Sequence, residues 1–269
     1  MHCFGSICLA AGVAALALAV PVAHAGPEWT EMNDAGSTLP DAETPTGTGP
    51  LAGLKGTLSG SPPPRGTAMA DFEDVFRVFI DDPKNFSAFV SPNNDGTPTF
   101  DTQLWLFDRT GDGVIANDDN SMAGMNGESG FFNAATDGTG AIVEFPGVYF
   151  LAISGAGNAP RNQINQRIFN FGVPGEVSGP DGAFGSTARL DNWQGMGAIG
   201  NYTVQLTGVT FLPPAEAADF NHDDCVDADD LAILLAGWGG SVRTDLNADG
   251  ITDATDLAIL LAAWGCAPM

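Results

Sequence analysis

The chain has 269 residues, with 33 acidic against 9 basic side chains and a formal charge of −24. That excess disfavours nucleic acid and anionic membrane surfaces as partners, and it suits a protein that takes up divalent cations. The 35 Gly and 18 Pro make the chain turn-rich, which favours an all-β body.

Residues 1–25 read as a secretory signal. Leu9 to Val20 is an apolar run of signal-peptide length, too short to span a bilayer, and Ala23-His24-Ala25 is an A-x-A cleavage site. The expected mature chain begins at Gly26. The first residues lack the usual Lys or Arg, so a retained anchor is the alternative reading. No later apolar run is long enough to form a transmembrane helix. The expected location is therefore secreted or cell-surface.

Cys3 and Cys8 would leave with the signal. Cys225 and Cys266 remain in an oxidising compartment and are expected to pair, with two free or intermolecular thiols as the alternative. A bridge across 41 residues stabilises by about 4 kcal/mol in the chain-entropy account.

Residues 26–50 are rich in Pro, Gly, Thr and Asp without periodicity and read as a flexible leader. From Leu51 the pattern is that of strands. Asp74–Ile80 alternates, with Phe76, Val78 and Ile80 on one face. Further strand candidates are Phe86–Val90, Thr102–Phe107, Ala141–Phe145, Val148–Ser154, Gln166–Phe169 and Tyr202–Phe211. Turn residues separate them, which predicts a mainly β fold, a sandwich or jelly roll over residues 51–212. Residues 171–200 read as a Gly-rich loop region, and 213–218 as a linker.

Two groups inside this body have alternative readings. Asp108, Thr110, Asp112, Gly113 and Asp119 match positions 1, 3, 5, 6 and 12 of an EF-type loop, yet strand-like residues precede them and no helical pattern follows. They form either an extra metal site or a polar hairpin turn. Trp105, Phe107, Phe131, Phe132 and Trp193 form either a sugar-stacking platform or core.

Residues 219–265 are one unit written twice at an offset of 26 residues, DFNHDDCVDADDLAILLAGWG from Asp219 and DLNADGITDATDLAILLAAWG from Asp245. Oxygen-bearing side chains recur at positions 1, 3, 5, 9 and 12: Asp219, Asn221, Asp223, Asp227 and Asp230, then Asp245, Asn247, Asp249, Asp253 and Asp256. Position 7, Cys225 or Ile251, needs to offer only its carbonyl. This is the EF-hand loop pattern, and it predicts two calcium sites, because a hard cation wants six to eight oxygens around one point. Gly250 at position 6 takes a left-handed turn; Asp224 replaces it in the first copy, so the first site is expected to be weaker. Each loop leads into an amphipathic helix, Leu231, Leu234, Leu235 and Trp238 in one copy and Leu257, Leu260, Leu261 and Trp264 in the other. Gly239 and Gly265 stand where helix caps belong.

His222 is the one histidine beyond the signal, inside a calcium loop, so histidine-based catalysis and zinc sites are not expected. A two-carboxylate glycosidase needs only a positioned acidic pair. No spacing singles one out among Glu73, Glu128, Glu144 and Glu176, which read as solvated surface.

The duplicated loop-and-helix unit, DLAxLLxxxG after each Asp-rich loop, resembles a type I dockerin. The resemblance implies a small all-α calcium-folded module over residues 219–266. It would dock to a cohesin-like or other extracellular protein, often in polysaccharide degradation. It also makes loop positions 10 and 11, Ala228–Asp229 and Ala254–Thr255, partner-contact residues. The order GTLSG, DFEDVFRVFI, FDTQLWLFDRTGDGVIANDDN, GVYFLAISG and GNYTVQLTGV resembles the bacterial pre-peptidase C-terminal β-sandwich, which implies a non-catalytic appendage. The expectation is a secreted calcium-binding protein that docks through its tail. A carbohydrate-binding or glycoside-hydrolysing component and a structural cell-surface protein are the alternatives.

Overall fold

The computed structural model describes residues 26–32, 34–60, 71–90, 100–119, 129–173, 175–221, 223, 225–240, 244–247 and 250–266. Residues 1–25, read from sequence as a signal, and Glu128, His222, Asp224 and Asp249 lie outside them. The fold is mainly β. Its strands, in chain order, are β1 (Glu28–Thr30), β2 (Gly53–Leu58), β3 (Glu73–Ile80), β4 (Ser87–Val90), β5 (Thr102–Asp108), β6 (Gly113–Asn117), β7 (Gly130–Phe132), β8 (Gly147–Gly155), β9 (Ala159–Arg161), β10 (Val177–Ser178), β11 (Asn192–Gln194), β12 (Gly200–Thr207) and β13 (Val209–Thr210).

Among the described residues, one sheet has the order β1-β2-β12-β4-β7 and a second the order β10-β6-β5-β8-β3-β13. The centre of the second sheet is regular. β3 pairs with β8 from Glu73↔Ser154 to Ile80↔Gly147, and β8 pairs with β5 from Thr102↔Gly155 to Asp108↔Tyr149.

The pleat sends alternate residues to opposite faces, and here both faces are covered. Phe76, Val78, Ile80, Leu104, Leu106, Leu151 and Ile153 pack inward with Leu54, Leu58, Val204 and Leu206 of the first sheet. Val75, Trp105, Phe107, Phe150 and Ala152 face the other way, against Ile168, Phe169, Ala188 and Leu190. Burial on both faces explains why β5 reads as a nearly continuous apolar run. The Gly-rich insertion therefore covers the outer face of the sheet, with short β10 and β11 within it.

The segment read as a leader is structural. β1 runs parallel to β2, from Glu28↔Gly53 to Thr30↔Lys55, and Glu43 joins β3 through Glu43 N to Val75 O and Arg77 N to Glu43 O, each 2.9 Å. Its hydrogen-bond partners are supplied by other strands, so its own composition shows no period. The Tyr202–Phe211 candidate is broken at Gly208, whose φ of +73° ends β12 and lets β13 pair with β3 in the other sheet. Ala141–Phe145 and Gln166–Phe169 form only isolated bridges, Ala134↔Ile142 and Arg161↔Arg167, while β6 was not expected.

The tail holds α1 (Pro214–Ala217), β14 (Cys225–Val226), α2 (Ala228–Ala236), α3 (Ala254–Ala262) and β15 (Gly265–Cys266). The expectation of an all-α module is met only by two nine-residue helices, because β14 and β15 form a ribbon pairing Cys225↔Cys266. Leu234 and Leu260 are buried in a small core with Ala218, Phe220 and Val226. Among the described residues, no helix is long and apolar enough to cross a membrane.

Candidate metal centre

Each helix of the repeat begins in a capping box. The Asp227 side chain accepts from Asp229 N at 2.8 Å, and Asp230 Oδ2 accepts from Asp227 N at 2.9 Å. In the second copy, Asp253 accepts from Thr255 N and Asp256 Oδ2 from Asp253 N, both at 2.7 Å. Asp230 Oδ1 also accepts from Phe220 N at 2.7 Å and Asn221 N at 3.2 Å; Asp256 Oδ1 does the same with Leu246 N and Asn247 N at the same two distances. Both carboxylates are fully buried. The position-12 aspartates thus fold each loop back onto its helix, and the repeat in sequence is a repeat in hydrogen bonding.

The loop openings are also turned inward. Asp219 and Asp245 are buried; Asp219 Oδ1 accepts from Asp223 N at 3.2 Å and Asp245 Oδ2 from Gly250 N at 2.7 Å. Asn221 Oδ1 accepts from Asp223 N at 3.1 Å, and Asp223 Oδ1 from Cys225 N at 3.0 Å. Gly250 has φ of +94°, the left-handed turn expected at position 6. Ala228, Asp229, Ala254 and Thr255 are exposed on the first turns of the helices, and Ile251 is exposed as well.

This donor set is made of oxygens and fits a hard cation. A carboxylate offers about four acceptor sites, so three N–H bonds leave Asp230 and Asp256 capacity for one more ligand interaction. Among the described residues, neither loop brings three acidic, His or Cys ligand atoms within 4.8 Å of one another. Asn and main-chain oxygens belong to the set, and Asp249 lies outside the described residues.

The first copy is tied to the sandwich. Arg77 of β3 donates through Nη1 to Glu216 O at 2.7 Å and Asp219 O at 3.2 Å, and its Nη2 is 3.8 Å from Asp219 Oδ2. Burial lowers the Arg77 pKa to about 10, with Asp219 and Glu216 acting the other way, so it keeps its charge at neutral pH. A fixed positive charge beside position 1 disfavours a cation in the first loop relative to the second. Cys225 and Cys266 form the expected disulfide and clamp the first loop to the end of the second helix.

The apolar stripes of the two helices divide. Leu231 and Leu257 pack beside buried Leu234 and Leu260, whereas Leu235, Trp238, Leu261 and Trp264 are 52%, 47%, 52% and 48% exposed. Sequence periodicity places all eight on core-facing stripes. The helices end at Ala236 and Ala262, so Trp238 and Trp264 lie just beyond them, and so small a core covers only half of each stripe.

Within the sandwich, Asp108 Oδ1 accepts from Thr110 N, Thr110 Oγ1 and Asp112 N at 2.8, 2.7 and 3.0 Å. This is a tight hairpin turn between β5 and β6. β6 then carries the chain about 13 Å away before Asp119, so Asp119 does not close a metal loop with Asp108. Asp112 is 3.8 Å from Arg189 Nε. The aromatic platform is not formed either. Trp105, Phe107 and Phe131 are core, Trp193 packs edge-on to Trp105 and donates to Ser37 O, and only Phe132 of the set is exposed.

One acidic group was not singled out in the sequence. Ligand atoms of Asp34, Asp71 and Asp74 lie within 4.8 Å of one another. Glu73, read from sequence as surface, is buried and accepts from Asn158 Nδ2. Burial pushes Glu31, Glu43 and Glu73 up to about 7 and raises Asp71; Asp74 is pushed well above the carboxylate range, with Glu31 next in effect.

No family model matches this chain, and a search of the curated proteins gives no match. Fold and site together define a mainly β, sandwich-like protein carrying a disulfide-clamped acidic repeat.

Proposed function

We propose that this is a secreted calcium-binding protein that docks to an extracellular protein partner through its C-terminal repeat, with the sandwich as a non-catalytic body. The observation that carries the reading is the matching bonding of Asp230 and Asp256, which sets two acidic loops against two helices; Leu235 and Leu261 on them, and Trp238 and Trp264 just after them, stay half exposed.

In this reading Asp219, Asn221, Asp223, Asp227 and Asp230 hold one calcium ion with the Cys225 carbonyl. Asp245, Asn247, Asp249, Asp253 and Asp256 hold the other with the Ile251 carbonyl. The ion supplies positive charge among carboxylates that otherwise repel, so its binding adds to the stability of the repeat. Asp227 and Asp253 fix the helix starts, and the disulfide fixes the ends of the unit. Leu235, Trp238, Leu261 and Trp264 then present an apolar face, and such half-exposed aromatic residues are frequent anchors of interfaces. A cohesin-like protein is the partner class that the dockerin resemblance implies, with a role in polysaccharide degradation or cell-surface assembly.

Affinity capture from the secreted fraction, with the full chain as bait, tests the docking step. Capture of one partner in calcium and its loss in chelator is the expected result. The same capture by a Trp238→Ala/Trp264→Ala bait would contradict the assigned face.

A further inference from the structure

We propose that Asp34, Asp71 and Asp74 form a third cation site, within the sandwich and separate from the repeat, that takes a hard divalent cation of calcium's size. It does not depend on the reading of the tail.

Two segments distant in sequence build it. Asp34 follows β1, Asp71 precedes β3, and Asp74 lies on β3. Their ligand oxygens converge within 4.8 Å, about twice the calcium–oxygen distance of 2.3–2.6 Å.

Each carboxylate is oriented through one oxygen. Ser59 N donates to Asp71 Oδ2 at 2.6 Å, the Tyr202 hydroxyl to Asp74 Oδ2 at 2.6 Å, and Gly36 N to Asp34 Oδ1 at 3.3 Å. The second oxygen is what points to a ligand. Asp71 Oδ1 and Asp74 Oδ1 are buried with no hydrogen-bond partner, and Asp74 is 0% exposed. Buried carboxylate oxygens are normally satisfied, so two orphans in one cluster call for a donor or a cation.

The charges around the cluster agree. The charged groups acting on Asp74 are the carboxyls of Glu31, Asp71 and Asp34, all of one sign when ionised. A buried anionic cluster of this kind is costly until a positive charge joins it. The ligand atoms are carboxylate oxygens, which favours calcium over zinc or copper.

Gly56 of β2 makes the close approach feasible. A Cβ there would overlap the Tyr202 hydroxyl and crowd Glu31. A cation here would join the start of the sandwich, just after β1, to β3 and through Tyr202 to β12.

The test is calcium stoichiometry of the full chain by equilibrium dialysis, wild type against Asp71→Asn/Asp74→Asn. The variant is expected to bind one ion fewer per chain, whether or not the repeat loops bind, and to lose part of the calcium-induced rise in Tm. Its Tm in chelator is expected to rise, because the amides remove repulsion; a merely structural role would lower it. Asp34→Asn, which is only half-buried, is the second variant should the double one fail to fold, and it too is expected to bind one ion fewer. Unchanged stoichiometry in the folded variants would overturn the proposal.

Discussion

Arg77 Nη2 stands 3.8 Å from Asp219 Oδ2, and both side chains are 3% exposed. One residue is the middle of a sandwich strand and the other opens the first acidic loop. The pair, with the two carbonyl bonds from Nη1, is where the body and the tail meet electrostatically. Removing one partner of a buried pair costs about 3–5 kcal/mol, because it strands the other charge. Arg77→Met should therefore lower Tm in chelator. Calcium should restore more of the loss than in wild type, since the ion replaces the guanidinium beside Asp219. Calorimetry with and without calcium reads both effects.

The disulfide makes a second prediction. Cys225→Ser/Cys266→Ser should destabilise the repeat by about 4 kcal/mol. The sandwich core contains neither cysteine, so the loss should be local. Limited proteolysis in chelator should cut within residues 219–266 of the variant and leave the sandwich intact.

Glu43 sets a pH dependence. Both of its carboxylate oxygens accept from Met32 N, yet burial raises its pKa to about 7, and Asp34 adds to the rise. A raised folded pKa means that the folded chain holds the proton more tightly. The resulting stability is full below about pH 4.5 and is lost as pH rises through 7. Tm in chelator should fall between pH 5 and pH 8, and Glu43→Gln should flatten that slope.

The two exposed tryptophans after the helices predict a separation of binding from folding. Trp238 and Trp264 are about half exposed, so Trp238→Ala/Trp264→Ala should cost only about 1–2 kcal/mol per site and leave the chain folded. The same substitution should abolish calcium-dependent capture of the partner. Denaturation and capture assays on one preparation check both.

The sequence shows regular features well and convergent ones poorly. β3, β5 and β8 were legible because alternation and turn residues mark them. The acidic loops were legible because a repeat at fixed offset leaves little to chance, and the Cys225–Cys266 pair because few cysteines remained. β1 was missed because a short parallel strand draws its order from β2 rather than from its own pattern. The exposure of Trp238 was missed because periodicity gives the direction of a stripe and not the size of the core that receives it. Asp34, Asp71 and Asp74 were missed because no local spacing links residue 34 to residues 71 and 74; only the pairing of β1 with β2, and the packing of that sheet against β3, brings them together.

Calcium in the twin loops of the tail is the proposal on which docking depends. The most direct measurement is isothermal titration of calcium into the full chain, wild type against Asp219→Asn/Asp245→Asn. The two ions assigned to the tail are expected to disappear in the variant, the weaker of them being the first loop's. Equal heats and stoichiometry for the two proteins would contradict it.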